Sequence, residues 1–186
     1  MKKLSLILAL ILFSLSSIAG NPQIIIKTSQ GEIEAELFED KAPVTVKNFL
    51  SYVKKSHYKD TIFHRVINNF MIQGGGYGSD LKEKPTDAPI KNEADNGLKN
   101  EVGTLAMART NLVDSATSQF FINVENNGFL DHRNKSAEAF GYCVFGKVTK
   151  GMPVVNKIKL VKTGSRGMLE DMPIQPVVIL DIVLKK

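Results

Sequence analysis

Residues 63–76 read FHRVINNFMIQGGG. Two short β-type runs, 62–67 and 70–73, flank a brief turn, and three glycines close the stretch. Arg65 and Gln73 stand among Phe63, Phe70 and Met71. Side chains alternate between the two faces of a strand, so Met71 and Gln73 share one face. A second run, 118–122 (SQFFI), repeats the device with Gln119 and Phe121. Each pair sets an amide beside a large apolar group. A fixed cation and an amide on apolar surface suit a site that grips a neutral, apolar group and perturbs it electrostatically. The stretch offers no evident nucleophile or metal set, so it suits hydrolysis and redox chemistry poorly. The glycine run lacks the G-K-[ST] continuation of a phosphate loop and reads as close backbone packing.

Outward from this stretch the chain keeps a β rhythm. Residues 23–28 and 32–38 form a hairpin about Ser29-Gln30-Gly31, with Ile33, Ala35 and Leu37 alternating against Glu32, Glu34 and Glu36. Residues 42–55 read as an amphipathic helix, with Pro43 in the first turn and Val46, Phe49, Leu50 and Val53 on one face. A second helix is expected over 152–161. Further strands are expected at 104–108, 120–124, 144–148 and 176–184, and a long polar loop at 76–100. About eight short strands with two helices predict a mainly β fold: a closed eight-stranded antiparallel barrel capped by two α-helices, a closure that removes exposed strand edges.

The N-terminus carries Lys2 and Lys3, an apolar run over 4–15 and small residues to Gly20. This is the pattern of a secretory signal peptide, with cleavage after Ala19. Residues 1–19 are therefore expected to be removed, leaving one domain over 20–186 in the periplasm, with a secreted or surface-associated location also open. The apolar run is shorter than the ~20 residues of a membrane-spanning helix, so no stable membrane insertion is expected after cleavage. Cleavage removes two lysines from a formal charge of only +5, and the basic residues are scattered, which argues against nucleic acid as a partner. His57, His64 and His132 have no metal-ligand spacing, and no metal is expected. Asp131 and His132 are adjacent, so their side chains diverge. Cys143, the single cysteine, reads as a buried, inert thiol in a strand.

Several stretches, in order, resemble the cyclophilins: 63–75, 103–108 (GTLAMA), 118–124 (SQFFINV), 129–131 (FLD) and 145–148 (FGKV). The resemblance runs from about residue 23 to residue 184 and is closest in look to the periplasmic cyclophilins of Gram-negative bacteria. It implies an eight-stranded barrel and peptidyl-prolyl cis-trans isomerase (rotamase) activity without a cofactor. By that resemblance Arg65 is the catalytic arginine and Gln73 the glutamine that orients it and contacts substrate. Phe70, Met71, Phe121 and Leu130 match the walls of a proline pocket. Ala108 and Arg109 match the segment whose backbone lines the groove, with Gln119, Phe129 and Tyr142 beside it. The implied partners are unfolded or partly folded proline-containing proteins, met by a monomer. A pure proline-binding module on the same fold is the rival reading, and it has no need of Arg65.

The chain also departs from the familiar pattern. Arg109 replaces a common asparagine and Thr110 an alanine, so a preference for acidic residues near proline is expected. Phe129 stands in place of a tryptophan, which implies weakened cyclosporin binding. The segment 132–140 is longer than in compact members, and Tyr142 falls where many have histidine.

Overall fold

In the computed structural model, which describes residues 20–185, the first hairpin forms where the alternation places it. β1 (Gln23–Thr28) and β2 (Gly31–Leu37) pair antiparallel, and Ile24, Ile26, Ile33, Ala35 and Leu37 are fully buried while Glu32, Glu34 and Glu36 face outward. The remaining barrel strands are β3 (Thr61–Ile67), β4 (Met71–Gly78), β5 (Thr104–Met107), β6 (Phe120–Asn123), β7 (Val144–Lys150) and, near the C-terminus, β10 (Val178–Leu184). Their order around the closed barrel is β1-β10-β3-β4-β6-β5-β7-β2, every pair antiparallel. The expected leader at residues 1–19 lies outside the described residues. Among the described residues no helix is long and apolar enough to cross a membrane.

Two helices pack onto the barrel core. α1 (Pro43–Lys54) sets Phe49 against Phe120 and Phe145, with ring centroids 5.5 and 5.2 Å apart. Such aromatic pairs add about 0.5–1.5 kcal/mol each beyond area burial. α2 (Met152–Lys159) buries Val155 and Ile158 in the same cluster.

The start of α1 is completed from far along the chain. Ala42 supplies no capping side chain, and no acidic residue sits in the first turn. Instead the Glu93 carboxylate accepts the backbone N–H groups of Val44 (3.1 Å) and Thr45 (2.8 Å) and the Thr45 hydroxyl (2.7 Å). A negative charge there also faces the positive end of the helix dipole. Glu93→Ala is expected to cost about 1–2 kcal/mol, seen as a lower urea midpoint with an unchanged slope. A variant as stable as wild type would show the cap to be idle.

The structure departs from the sequence reading in three places. Phe70 ends the turn rather than starting a strand, and β4 runs on through the glycines to Gly78. The missing side chains permit this. A Cβ at Gly74 would lie 3.0 Å from the Ile62 carbonyl oxygen, and one at Gly76 would lie 2.6 Å from the Gln119 side chain. The glycines are packing residues, as read. Cys143 is buried but precedes β7 instead of lying in it. Finally, a hairpin of β8 (Thr163–Arg166) and β9 (Leu169–Pro173) forms where no element was expected. β8 is exposed along its whole length, so it carries no apolar alternation to read.

Candidate active site

The outer face of the barrel carries one transverse row of paired residues. Arg65 on β3 is registered with Gln73 on β4, Gln73 with Phe121 on β6, Phe121 with Ala106 on β5, and Ala106 with Val144 on β7. Residues directly opposite one another on neighbouring strands share a face, so strand pairing alone sets cation, amide and apolar surface side by side. Met71, Ala106, Phe121, Leu130 and Val144 form an apolar cluster distinct from the barrel core.

A pocket of about 110 Å³ opens on this cluster, lined by Arg65, Phe70, Met71, Gln73, Ala108, Arg109, Phe121, Leu130 and Tyr142. Nine of the expected site residues thus meet in one place. Phe129 and Gln119 do not line it. Phe129 is 65% exposed on the rim and stacks on Phe70 at 5.5 Å. Gln119 stands behind Gln73. No serine, cysteine, histidine or carboxylate is among the lining residues.

The Arg65 side chain is 42% exposed, with its guanidinium 6.0 Å from the centre of the Phe70 ring. Its Nε lies 3.9 Å from Asp171 Oδ2, a solvent-exposed pair worth about 0–1 kcal/mol. Gln73 is its cross-strand neighbour, but the Gln73 amide donates to Gln119 Oε1 at 2.9 Å, and no Gln73–Arg65 hydrogen bond forms among the described residues. The expected orienting contact is thus replaced by an amide–amide bond, for which Gly76 leaves the room. Next to Arg65 in the chain, His64 is buried, edge-on to Tyr77 at 4.8 Å, and among the described residues its Nδ1 has no hydrogen-bond partner. Burial first, and the neighbouring Arg65 charge second, hold its pKa down at about 4.

The far wall is Tyr142, whose ring meets Phe121 edge-on at 5.9 Å. Arg109 lies over the same ring, 4.8 Å from its centre. Its guanidinium donates to three backbone carbonyls: Nε to Gly141 (3.0 Å), Nη1 to Thr110 (2.9 Å) and Nη2 to Ala137 (2.9 Å). The freely offered charge expected of Arg109 is instead a brace between two loops. Cys143 is buried beside Thr45, and desolvation pushes its thiol up to about 12, so it is inert. Asp131 and His132 diverge as expected. Asp131 accepts the Asn100 N–H at 2.8 Å, while His132 Nδ1 lies 2.8 Å from the Phe140 carbonyl.

Several positioning residues escaped the sequence reading. Asp171 reaches Arg65 from the unforeseen hairpin, in a left-handed backbone conformation (φ 54°). Asn92, Asn96 and Asn100 of the polar loop donate to the carbonyls of Gly141, Val144 and Tyr142, fixing the segment that presents Tyr142. Asn127 donates to the Phe70 carbonyl at 2.8 Å and to Asn123 at 2.7 Å. The four-residue spacing of Asn92, Asn96 and Asn100 was the one visible signal; the other contacts span loops distant in the chain.

The family profile described as "Cyclophilin type peptidyl-prolyl cis-trans isomerase/CLD" matches residues 23–184. A peptidyl-prolyl cis-trans isomerase of Acinetobacter baylyi is 55% identical over 185 residues, covering 100% of this chain and 96% of that protein. Peptidyl-prolyl cis-trans isomerase B of Escherichia coli is 55% identical over 159 residues, covering 86% and 97%. A crystal structure of a Cryptosporidium parvum cyclophilin type isomerase, in the presence of the dipeptide Ala-Pro, superposes with a TM-score of 0.71 at 28% identity, covering 88% and 99%.

Proposed function

The chain belongs to the cyclophilin-type peptidyl-prolyl cis-trans isomerases, which are enzymes, and from that premise we propose that it isomerises X-Pro bonds in exported proteins and so assists their folding. The proline ring enters the pocket over Met71, Phe121 and Leu130, and Arg65 stabilises the twisted amide.

A peptide bond resists rotation by about 18–20 kcal/mol because the nitrogen lone pair is delocalised into the carbonyl. In the twisted transition state that delocalisation is lost and the nitrogen becomes a hydrogen-bond acceptor. A guanidinium donating there binds the transition state more tightly than the planar ground state, which is the condition for catalysis. Arginine stays charged throughout the working pH range, and the step requires no proton transfer. Uncatalysed isomerisation takes roughly 10–100 s, so a typical turnover of about 10 per second needs at least ~10²-fold, or about 3 kcal/mol. One charge-assisted hydrogen bond with fixation of the ring is of that size.

The observation that carries this reading is a permanently charged side chain on the rim of a pocket built on Met71, Phe121 and Leu130, whose lining holds no serine, cysteine, histidine or carboxylate. The leader pattern over residues 1–19 supports export and the periplasm as the compartment. The clients are unfolded or partly folded chains, met by a monomer. Cyclosporin is a weakened ligand because Phe129, not tryptophan, occupies the rim. The test is an X-Pro isomerisation assay on purified residues 20–186, repeated with cyclosporin, alongside fractionation of cells. Turnover and periplasmic recovery are expected; background rates or cytoplasmic retention would sink the respective claim.

A further inference from the structure

Past the Arg109–Tyr142 wall lies a second groove of about 430 Å³, lined by Arg109, Thr110, Asn111, Ala137, Glu138 and Tyr142. Arg109 and Tyr142 line both it and the proline pocket, so the two adjoin. A chain seated in the pocket has to leave it in two directions, each residue covering about 3.3–3.6 Å. A groove that adjoins the pocket is therefore within reach of the residues nearest the proline.

The long segment 132–140 and the loop after β5 make this groove, and both are internally braced. Arg133 and Asn134 donate to the Ala139 carbonyl, and the Ser136 N–H to the Asn134 side chain at 2.9 Å. Across the groove, Ser115 accepts the Thr110 N–H at 2.9 Å and donates to the Leu112 carbonyl at 2.7 Å. Arg109 joins the two sides through the carbonyls of Ala137 and Thr110. The walls stand before any ligand arrives, which lowers the ordering cost of binding.

The charge of the groove follows from the same bonds. The Arg109 guanidinium is turned onto three carbonyl oxygens, whose dipoles oppose its charge. Glu138 is exposed and, among the described residues, makes no hydrogen bond or ion pair. The ionised group left uncommitted in the lining is therefore a carboxylate.

We infer that this groove is a substrate subsite for a basic side chain, Lys or Arg, lying within about three residues of the proline, with Glu138 as its acceptor. The inference rests on the isomerase reading and reverses the acidic preference expected from Arg109 in the sequence.

The test measures kcat/KM on X-Pro peptides carrying Lys, Gln or Glu at each of the three positions on either side of the proline, at low salt. Wild type should favour Lys over Glu at one position by roughly two- to fivefold, the range of an exposed ion pair. The preference should shrink at high salt, approach unity in Glu138→Gln and invert in Glu138→Lys. Both variants change an exposed loop residue, and a thermal melt checks that they fold. Equal rates for Lys and Glu at every position, a preference for Glu, or a Lys preference that survives Glu138→Gln overturns the subsite and leaves the isomerase reading intact. No turnover of any peptide by wild type overturns both.

Discussion

Arg65→Ala is expected to lower kcat/KM on an X-Pro peptide by about a hundredfold or more while the protein stays folded. The loss follows from the about 3 kcal/mol that catalysis at an ordinary turnover demands and from the lining of the pocket, which has no other cation free to replace it. Arg109 is the second cation there, but its donors are committed to Gly141, Thr110 and Ala137. The fold should be almost indifferent to the change. The Arg65 side chain is 42% exposed, and its ion pair with Asp171 is long and solvated, so truncation removes less than about 1 kcal/mol of stability. Arg65→Lys keeps the charge on a flexible stem and loses the planar fork, and it should recover only part of the rate. NMR exchange on a proline peptide, with a thermal melt of each variant, reads both quantities. An Arg65→Ala protein within a few-fold of wild type would falsify the role given to this residue.

The second large effect is on stability. His64 is buried with an unpartnered Nδ1, and burial followed by the Arg65 charge lowers its pKa from 6.5 to about 4. Between those two values the unfolded chain takes up a proton that the folded chain refuses. Stability is then full above about pH 6.5 and is lost as pH falls toward 4, by about 3 kcal/mol from this one group. His57 is shifted the same way, mainly by desolvation, and adds to the slope. The lowered carboxyl of Glu34, held down chiefly by Lys185, acts below its ordinary value of 4.5 and so outside most of this window. Urea titrations at pH 7, 5.5 and 4 should show the decline, and His64→Leu should flatten it, since leucine has no group that takes up a proton in the unfolded chain. The ring resonances of His64 in the intact protein give an independent reading. A midpoint near 6.5 would refute the linkage whatever the variant does.

What was legible in the chain followed from short-range periodicity. Ile33, Ala35 and Leu37 announced a half-buried strand, and Pro43 with Val46 and Phe49 announced α1. The period of two also placed Met71 with Gln73 and Gln119 with Phe121, so much of the site was visible before its pairing was. The rest depends on contacts that no local pattern encodes. The Glu93 cap crosses 48 residues to Thr45, where a local capping box spans three. β8 is exposed along its length and is held by backbone pairing to β9, whose only buried residues are Met172 and Pro173 at its end, and Asp171 travels with them. The glycines of β4 have no side chain to alternate, so the strand seemed to end at Gln73. Arg109 looked like an offered charge because its acceptors are carbonyls, which every residue type carries alike.

The row from Arg65 to Val144 crosses five strands, and this has a consequence for how such an enzyme can change. Deleting or adding one residue inside β4 or β6 would turn Gln73 or Phe121 into the barrel and scatter the row. Point substitutions aside, the row is closed to revision. The segments 109–115 and 132–140 lie outside the register, so their length and charge can be rewritten without moving Arg65. New client preferences should therefore arise by loop exchange, and grafting these two segments between relatives is the natural engineering route to them.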